Sequence, residues 1–198
     1  MNPSTNPSAL RSKAEITEAL LQIMNEYNFS EITVKHILAE AHVARKTFYR
    51  NFASKEDVLK SYIDSLILDY VDKLIELAKS PNASKNSNLF PENILRLIFS
   101  ICLENRDFLI CLYKNDLMHV LLQQMNAAIS KVHTQVVPND HYIFSGISPE
   151  LTDYIISFNV SAIWGTINRW VERGMNDDPE VIIENLGHFL YNFISSGK

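Results

Sequence analysis

The sequence has little of what most enzymes and membrane proteins are built from. It holds only five glycines in 198 residues, with no Gly-rich phosphate loop and no GxSxG elbow. The six histidines (His36, His42, His119, His133, His141 and His188) are scattered, and no HExxH or paired Cys/His spacing occurs among them. The two cysteines, Cys102 and Cys111, fit no metal motif. They read as buried thiols, with a redox pair as the lesser alternative. The longest uncharged run, Tyr154 to Asn168, is too short to span a bilayer and carries Ser157, Asn159, Ser161 and Thr166. The leading MNPSTNPSALRSK lacks the apolar core of a secretion signal, so a reducing cytoplasm is the expected compartment. No credible strand pair is written anywhere. Together these absences point away from an enzyme, a cofactor carrier or a metalloprotein, and no cofactor or metal is expected.

Positive charge is also scarce overall. Eighteen Lys/Arg face 23 Asp/Glu, a net charge of −5, so the whole chain is not a basic nucleic-acid binder. The distribution is uneven, however. Residues 1–55 hold seven basic and five acidic side chains, and the remainder hold eleven and eighteen. A basic end on an acidic body suits a protein that touches DNA at one end only.

What is present is helical periodicity in a chain that is 46% hydrophobic. After a mobile arm, a helix is predicted over 8–27, with Ile16, Leu20, Ile23 and Tyr27 on one face and Asn28 as its stop. Ser12 and Glu15 have capping-box spacing, although they can equally lie inside the helix. Two short helices follow. Ser54 caps a long one running to about Lys79, and Ser80 to Phe90 is the clearest loop. Pro91 marks the next helix start. A short buried segment spans Phe108 to Tyr113, a helix runs from Asp116 to about Val132, and 135–148 is an irregular connection. Ser148-Pro149-Glu150 and Asp178-Pro179-Glu180 each give a cap, a first-turn proline and a first-turn acid. The first helix so started ends at Gly174, and the second reaches about Ile194. The fold class is all-α, with about nine helices and no internal repeat.

The chain is organised around Thr33 to Lys55. Val34, Ile37, Leu38 and Ala41 make one apolar helical face, and the rhythm breaks at Ala41-His42-Val43. Arg45, Lys46 and Arg50 then bring three positive charges into six residues, with Thr47 and Tyr49 between them. A short cationic helix held at an angle by a second short helix suits the DNA major groove. Arg45 and Lys46 lie at its start, where side chains reach base edges. Thr47 and Tyr49 can donate to phosphate or base. Lys35 sits on the supporting helix, and Lys55 opens the next one, where charge and helix terminus together suit a phosphate. Phe48 and Phe52 read as core anchors.

Thr33, Val34, Ile37, Ala41, Val43, Thr47, Phe48, Tyr49, Phe52, Lys55, Glu56 and Leu59 resemble the helix-turn-helix signature of the TetR family of transcriptional regulators. The likeness is specific over about residues 10–60 and weaker beyond. It implies a DNA-binding domain at 8–54 and a helical effector-binding and dimerisation domain at 55–198. It also implies DNA contacts from Thr33, Lys35, Arg45, Lys46, Thr47, Tyr49 and Lys55, with Arg50 and Asn51 as further candidates. The sequence departs from the family at His42, where glycine is usual. A left-handed backbone is expected there, with slight strain. Asn28 also replaces a usual glycine.

In the body, Ser157, Ser161 and Gly165 form a small-residue stripe, and Gly187 lies inside the last helix. Either two helices of one chain pack closely there, or two subunits cross. The resemblance implies the crossing, in a homodimer, with Trp170 and Tyr191 as further interface candidates. The segments 94–103, 108–113 and 154–168 carry one ionised residue, Arg96. Either they form a solid core or they enclose an apolar small-molecule pocket. For the pocket, Arg96, Phe99, Ser100, Phe108, Tyr113, Phe158 and Asn159 are the expected lining. The function expected on this basis is a repressor released from operator DNA by a small-molecule effector. The alternatives are a DNA-binding dimer controlled by a protein partner, and a helical enzyme or carrier with a vestigial helix-turn-helix.

Overall fold

A computed structural model describes residues 7–79, 89–136 and 148–195. Among these there are nine α-helices and no strand: α1 Pro7–Glu26, α2 Val34–Glu40, α3 Arg45–Asn51, α4 Lys55–Lys79, α5 Leu89–Glu104, α6 Arg106–Lys114, α7 Met118–Val136, α8 Thr152–Glu172 and α9 Pro179–Ser195. Short 3-10 turns occupy Phe29–Glu31 and Pro149–Leu151. The expected arm and loop fall mostly outside the described residues, as does most of the 135–148 connection. The chain divides into two compact units, Met1–Leu66 and Ile67–Lys198, and the division falls within α4.

In the first unit, α1 packs on both α2 and α3. It buries Ile16, Ala19, Leu20, Ile23 and Met24 along one face. Tyr27 is outside that face and exposed. Ser12 lies within the helix and its hydroxyl donates to the Ser8 carbonyl, so it caps nothing. Asn28 does not adopt the left-handed stop that glycine-like positions favour. Its φ is −62° and ψ is 138°, and it leads directly into the 3-10 turn. Phe29, Ile32, Ile37, Phe48, Phe52, Val58, Leu59 and Ile63 complete the core of this unit.

In the second unit, Ile67, Tyr70, Val71 and Leu74 of α4 are buried together with Leu95, Phe99, Leu109, Cys111, Leu112, Met118 and Leu121. α8 packs against α6 and α7, and α5 packs against α9. α5 begins at Leu89, so Pro91 lies in its first turn. Pro149 opens a 3-10 turn, not the helix itself, and α8 starts three residues later at Thr152. Asp178 caps α9 as its spacing predicts, accepting from the Glu180 N–H at 2.9 Å.

The α8–α9 turn carries two successive left-handed residues, Gly174 (φ 75°) and Met175 (φ 55°). A Cβ at position 174 would lie 3.0 Å from the Asn176 amide nitrogen, on top of the strain of its φ. The turn is fastened from three sides. The Trp170 indole N–H donates to the Asp177 carbonyl at 2.9 Å. Arg106 donates to the Gly174 carbonyl at 2.7 Å, and Arg173 pairs with Asp177 at 2.6 Å.

Candidate nucleic-acid interface

α2 starts at a reciprocal cap. The Thr33 hydroxyl accepts from the His36 N–H at 3.3 Å, and the Thr33 N–H donates to His36 Nδ1 at 3.4 Å. The helix ends at Glu40 with Ala41 as its cap, and His42 follows with φ 52°, the left-handed geometry expected at this turn. Ala44 then precedes α3 and offers no side-chain cap. What fixes α3 is burial of its inner face. Phe48 is fully buried, and Phe52 just beyond the helix is nearly so, their ring centres 6.1 Å apart.

With Phe48 turned inward, helical geometry turns its neighbours outward. Lys35, Arg45, Lys46, Tyr49 and Arg50 are all exposed. Among the described residues no carboxylate pairs with any of these four cations within 4.0 Å. The Arg45 guanidinium lies 5.5 Å from the centre of the Tyr49 ring, one turn further along α3. Tyr49 in turn meets Phe48 edge-on, with centres 5.3 Å apart. Thr47 and Asn51 are half-buried, and the Asn51 amide donates to the Thr47 carbonyl at 2.8 Å.

Lys55 opens α4. Its side chain turns into its own unit, where the ammonium donates to the carbonyls of Phe29 (2.5 Å), Ile32 (2.7 Å) and Ser30 (3.3 Å). It also lies 4.7 Å from the centre of the Phe29 ring. The start of α4 is closed locally as well. Ser54 accepts from the Asp57 N–H, and the Asp57 carboxylate accepts from the Ala53 N–H.

The residues expected around an effector differ in their surroundings. Phe99 is buried against Trp170, their centres 4.8 Å apart. Phe158 and Asn159, on α8, are exposed. Tyr113 is exposed, and the Ser100 hydroxyl donates to the Leu97 carbonyl of its own helix. Phe108 is half-buried. Arg96 is already paired, with Glu180 at 3.1 Å and Glu92 at 3.5 Å, so it is not a free counter-charge. A shallow hollow of about 470 Å³ opens along α9 between Asp177 and Leu186, and none of these residues lines it.

The expected interface residues also separate. Ser157, Ser161 and Gly165 share an exposed face of α8, and nothing lies within 4 Å of a Cβ built on Gly165. Trp170 belongs instead to the core, 1% exposed. Gly187 faces inward, since its Cβ would meet Glu92 of α5. The Tyr191 side chain lies outside the described residues. Tyr154 and Phe158 on α8, with Val181 and Phe189 on α9, are exposed large apolar groups that the small-residue stripe alone did not single out. Among the described residues no helix is long and apolar enough to cross a membrane.

Comparison with known proteins agrees with both parts of the chain. Residues 16–62 match the family described as bacterial regulatory proteins, tetR family. Residues 91–192 match a family described as transcriptional regulator C-terminal region. An uncharacterized HTH-type transcriptional regulator, YxbF of Bacillus subtilis, is 30% identical over 74 residues, 37% of this chain and 19% of that protein. The match thus spans about a fifth of this curated relative's length. Among solved structures, the fatty acid degradation regulator FadR from Bacillus halodurans aligns with a TM-score of 0.62 at 17% identity, covering 95% of this chain and 96% of its own. The dihydroxyacetone kinase operon activator DhaS aligns with a TM-score of 0.55 at 23% identity, covering 94% and 97%. A TetR transcriptional regulator from Streptococcus agalactiae 2603V aligns at 0.54 and 19%, covering 92% and 94%. These three likenesses establish the fold alone. With matches over both the helix-turn-helix and more than half of the chain beyond it, the protein belongs to the TetR family of transcriptional regulators.

Proposed function

We propose that the protein binds operator DNA as a homodimer, with 8–54 reading the DNA and 55–198 serving dimerisation and effector response. The observation that carries the DNA half is the exposed, unpaired cationic face of α3 above a fully buried Phe48. Arg45 and Lys46 read base edges from the start of the recognition helix. Thr33, Lys35, Thr47, Tyr49 and Arg50 hold the phosphates. Asn51 contributes by fixing the last turn of α3 through Thr47. The dimer reading is supported by Tyr154, Phe158 and Gly165, which share the outer side of α8. A large apolar patch on one chain is the usual mark of a partner surface.

The regulator is a repressor whose operator affinity is lowered by a small apolar molecule. That reading draws on the family and on the segments 94–103, 108–113 and 154–168, whose one ionised residue is Arg96. A second reading, activation, is favoured by the likeness to DhaS, which is described as an operon activator. A mobility-shift titration on the DNA flanking its own gene tests the first element. Specific binding that survives competitor DNA supports it; equal affinity for any sequence removes it. Transcription in vitro from that DNA, with and without protein, separates repression from activation.

A further inference from the structure

The basic residue at the start of α4 has two incompatible uses, a phosphate contact or an internal tie, and its geometry favours the second. A lysine ammonium has three N–H donors. Three backbone carbonyls, of Phe29, Ser30 and Ile32, lie at 2.5, 3.3 and 2.7 Å from Lys55 Nζ. Those carbonyls belong to the 3-10 turn Phe29–Glu31 and to the residue that closes it. Within the turn the Phe29 carbonyl also accepts the Ile32 N–H at 3.2 Å, and a carbonyl has a second lone pair free for the ammonium. The ring of Phe29 backs the same ammonium at 4.7 Å. Ile32 is followed at once by Thr33, the cap of α2.

We propose that Lys55 is a positioning residue, a latch that ties the start of α4 to the lead-in of α2, and that its charge is not used on DNA phosphate. It acts through the backbone of 29–32 on the Thr33 cap, and so on the placement of α2 beneath α3. Its tripod suits this use better than arginine would. Three carbonyls converge on one nitrogen, whereas the guanidinium is a planar fork whose donors diverge. The DNA half of this inference rests on the reading of α3 as a recognition helix; the latch itself does not.

The test compares full-length wild type with Lys55→Met and Lys55→Arg. Binding to operator DNA is measured over a range of salt, at a temperature where circular dichroism shows each variant fully folded. Amide hydrogen exchange follows Glu31, Ile32, His36 and Ile37, whose N–H groups bond within this stretch. The latch predicts that Lys55→Met weakens binding by the same factor at every salt concentration, leaving the slope unchanged. It predicts at least about tenfold loss of protection at those amides, the worth of one charge-assisted hydrogen bond. Lys55→Arg should restore neither. A phosphate contact predicts the reverse: a slope flattened by about 0.9 per half-site in Lys55→Met, unchanged protection, and recovery in Lys55→Arg. A flattened slope or unchanged protection overturns the latch. Should wild type bind no DNA sequence specifically, the regulator reading fails while the exchange measurement still decides the latch.

Discussion

Arg45 and Tyr49 lie one helical turn apart on α3, with the guanidinium 5.5 Å from the ring centre. An arginine so placed is held by the aromatic face while its N–H fork stays free for a bidentate contact. Arg45→Ala should therefore cost about 1–3 kcal/mol per half-site in specific binding and relax discrimination at one base position. Competition binding against a set of single-base operator variants reads this directly. Equal loss on cognate and random DNA would show that Arg45 does not read bases.

The outer face of α8 gives a prediction about assembly. Phe158 is 69% exposed in one chain, and Gly165 faces open space. Phe158→Glu should yield a monomer at micromolar concentration while helix content stays unchanged. Sedimentation velocity is the measurement, and a wild type that sediments as a monomer would end the proposal.

Trp170 should behave as a core residue. It packs on Phe99 and its indole N–H holds the α8–α9 turn. Trp170→Ala removes both, and the expected loss is roughly 3–5 kcal/mol in urea unfolding. A change within about 0.5 kcal/mol, the range of ordinary surface substitutions, would contradict the burial of Trp170.

The same turn carries a pH signature. Hydrogen bonding from Arg173 holds the Asp177 carboxyl below its ordinary value of 3.8. A carboxyl depressed in the folded state contributes stability above its unfolded pKa. That contribution is lost as pH falls through the folded value. Arg173→Ala should return Asp177 to the ordinary range, which a carboxyl-carbon NMR titration follows residue by residue. An unmoved Asp177 would show that the pair does not form in solution.

Both cysteines should resist labelling. Burial pushes the Cys102 thiol up to about 12. Burial also raises Cys111, partly offset by Lys114 and Asn115. At pH 8 the thiolate of Cys102 is then about one part in ten thousand, and the thiolate is the reactive form. Ellman's reagent should react only after denaturant is added. Prompt reaction of the native protein would revive the redox reading.

How far the sequence was legible follows from the range of each interaction. Ser54 and Asp178 work as caps because a cap is a contact over two or three residues, and spacing alone reveals it. The nine helices follow from periodicity in the same way. The internal partners of Lys55 and Arg96 are not legible in the sequence, because they lie 26 and 84 residues away in the chain, at Phe29 and Glu180. The burial of Trp170 is hidden from the sequence for a related reason. An aromatic on a helix can face a neighbouring helix or a second subunit, and only the position of Phe99 decides between them. Tyr27 sits at the correct spacing to continue the buried face of α1, but the helix ends at Glu26 and the chain turns away.

The left-handed His42 bears on the unfolded chain as much as on the folded one. Holding φ at 52° costs a residue with a Cβ about 1 kcal/mol that glycine would not pay. Glycine, however, explores far more backbone states when the chain is denatured, and fixing it forfeits about 0.4–1 kcal/mol more entropy. At a positive φ the strain is the larger of the two effects. The turn between α2 and α3 is thus held against a local backbone preference, and glycine at position 42 would relieve it.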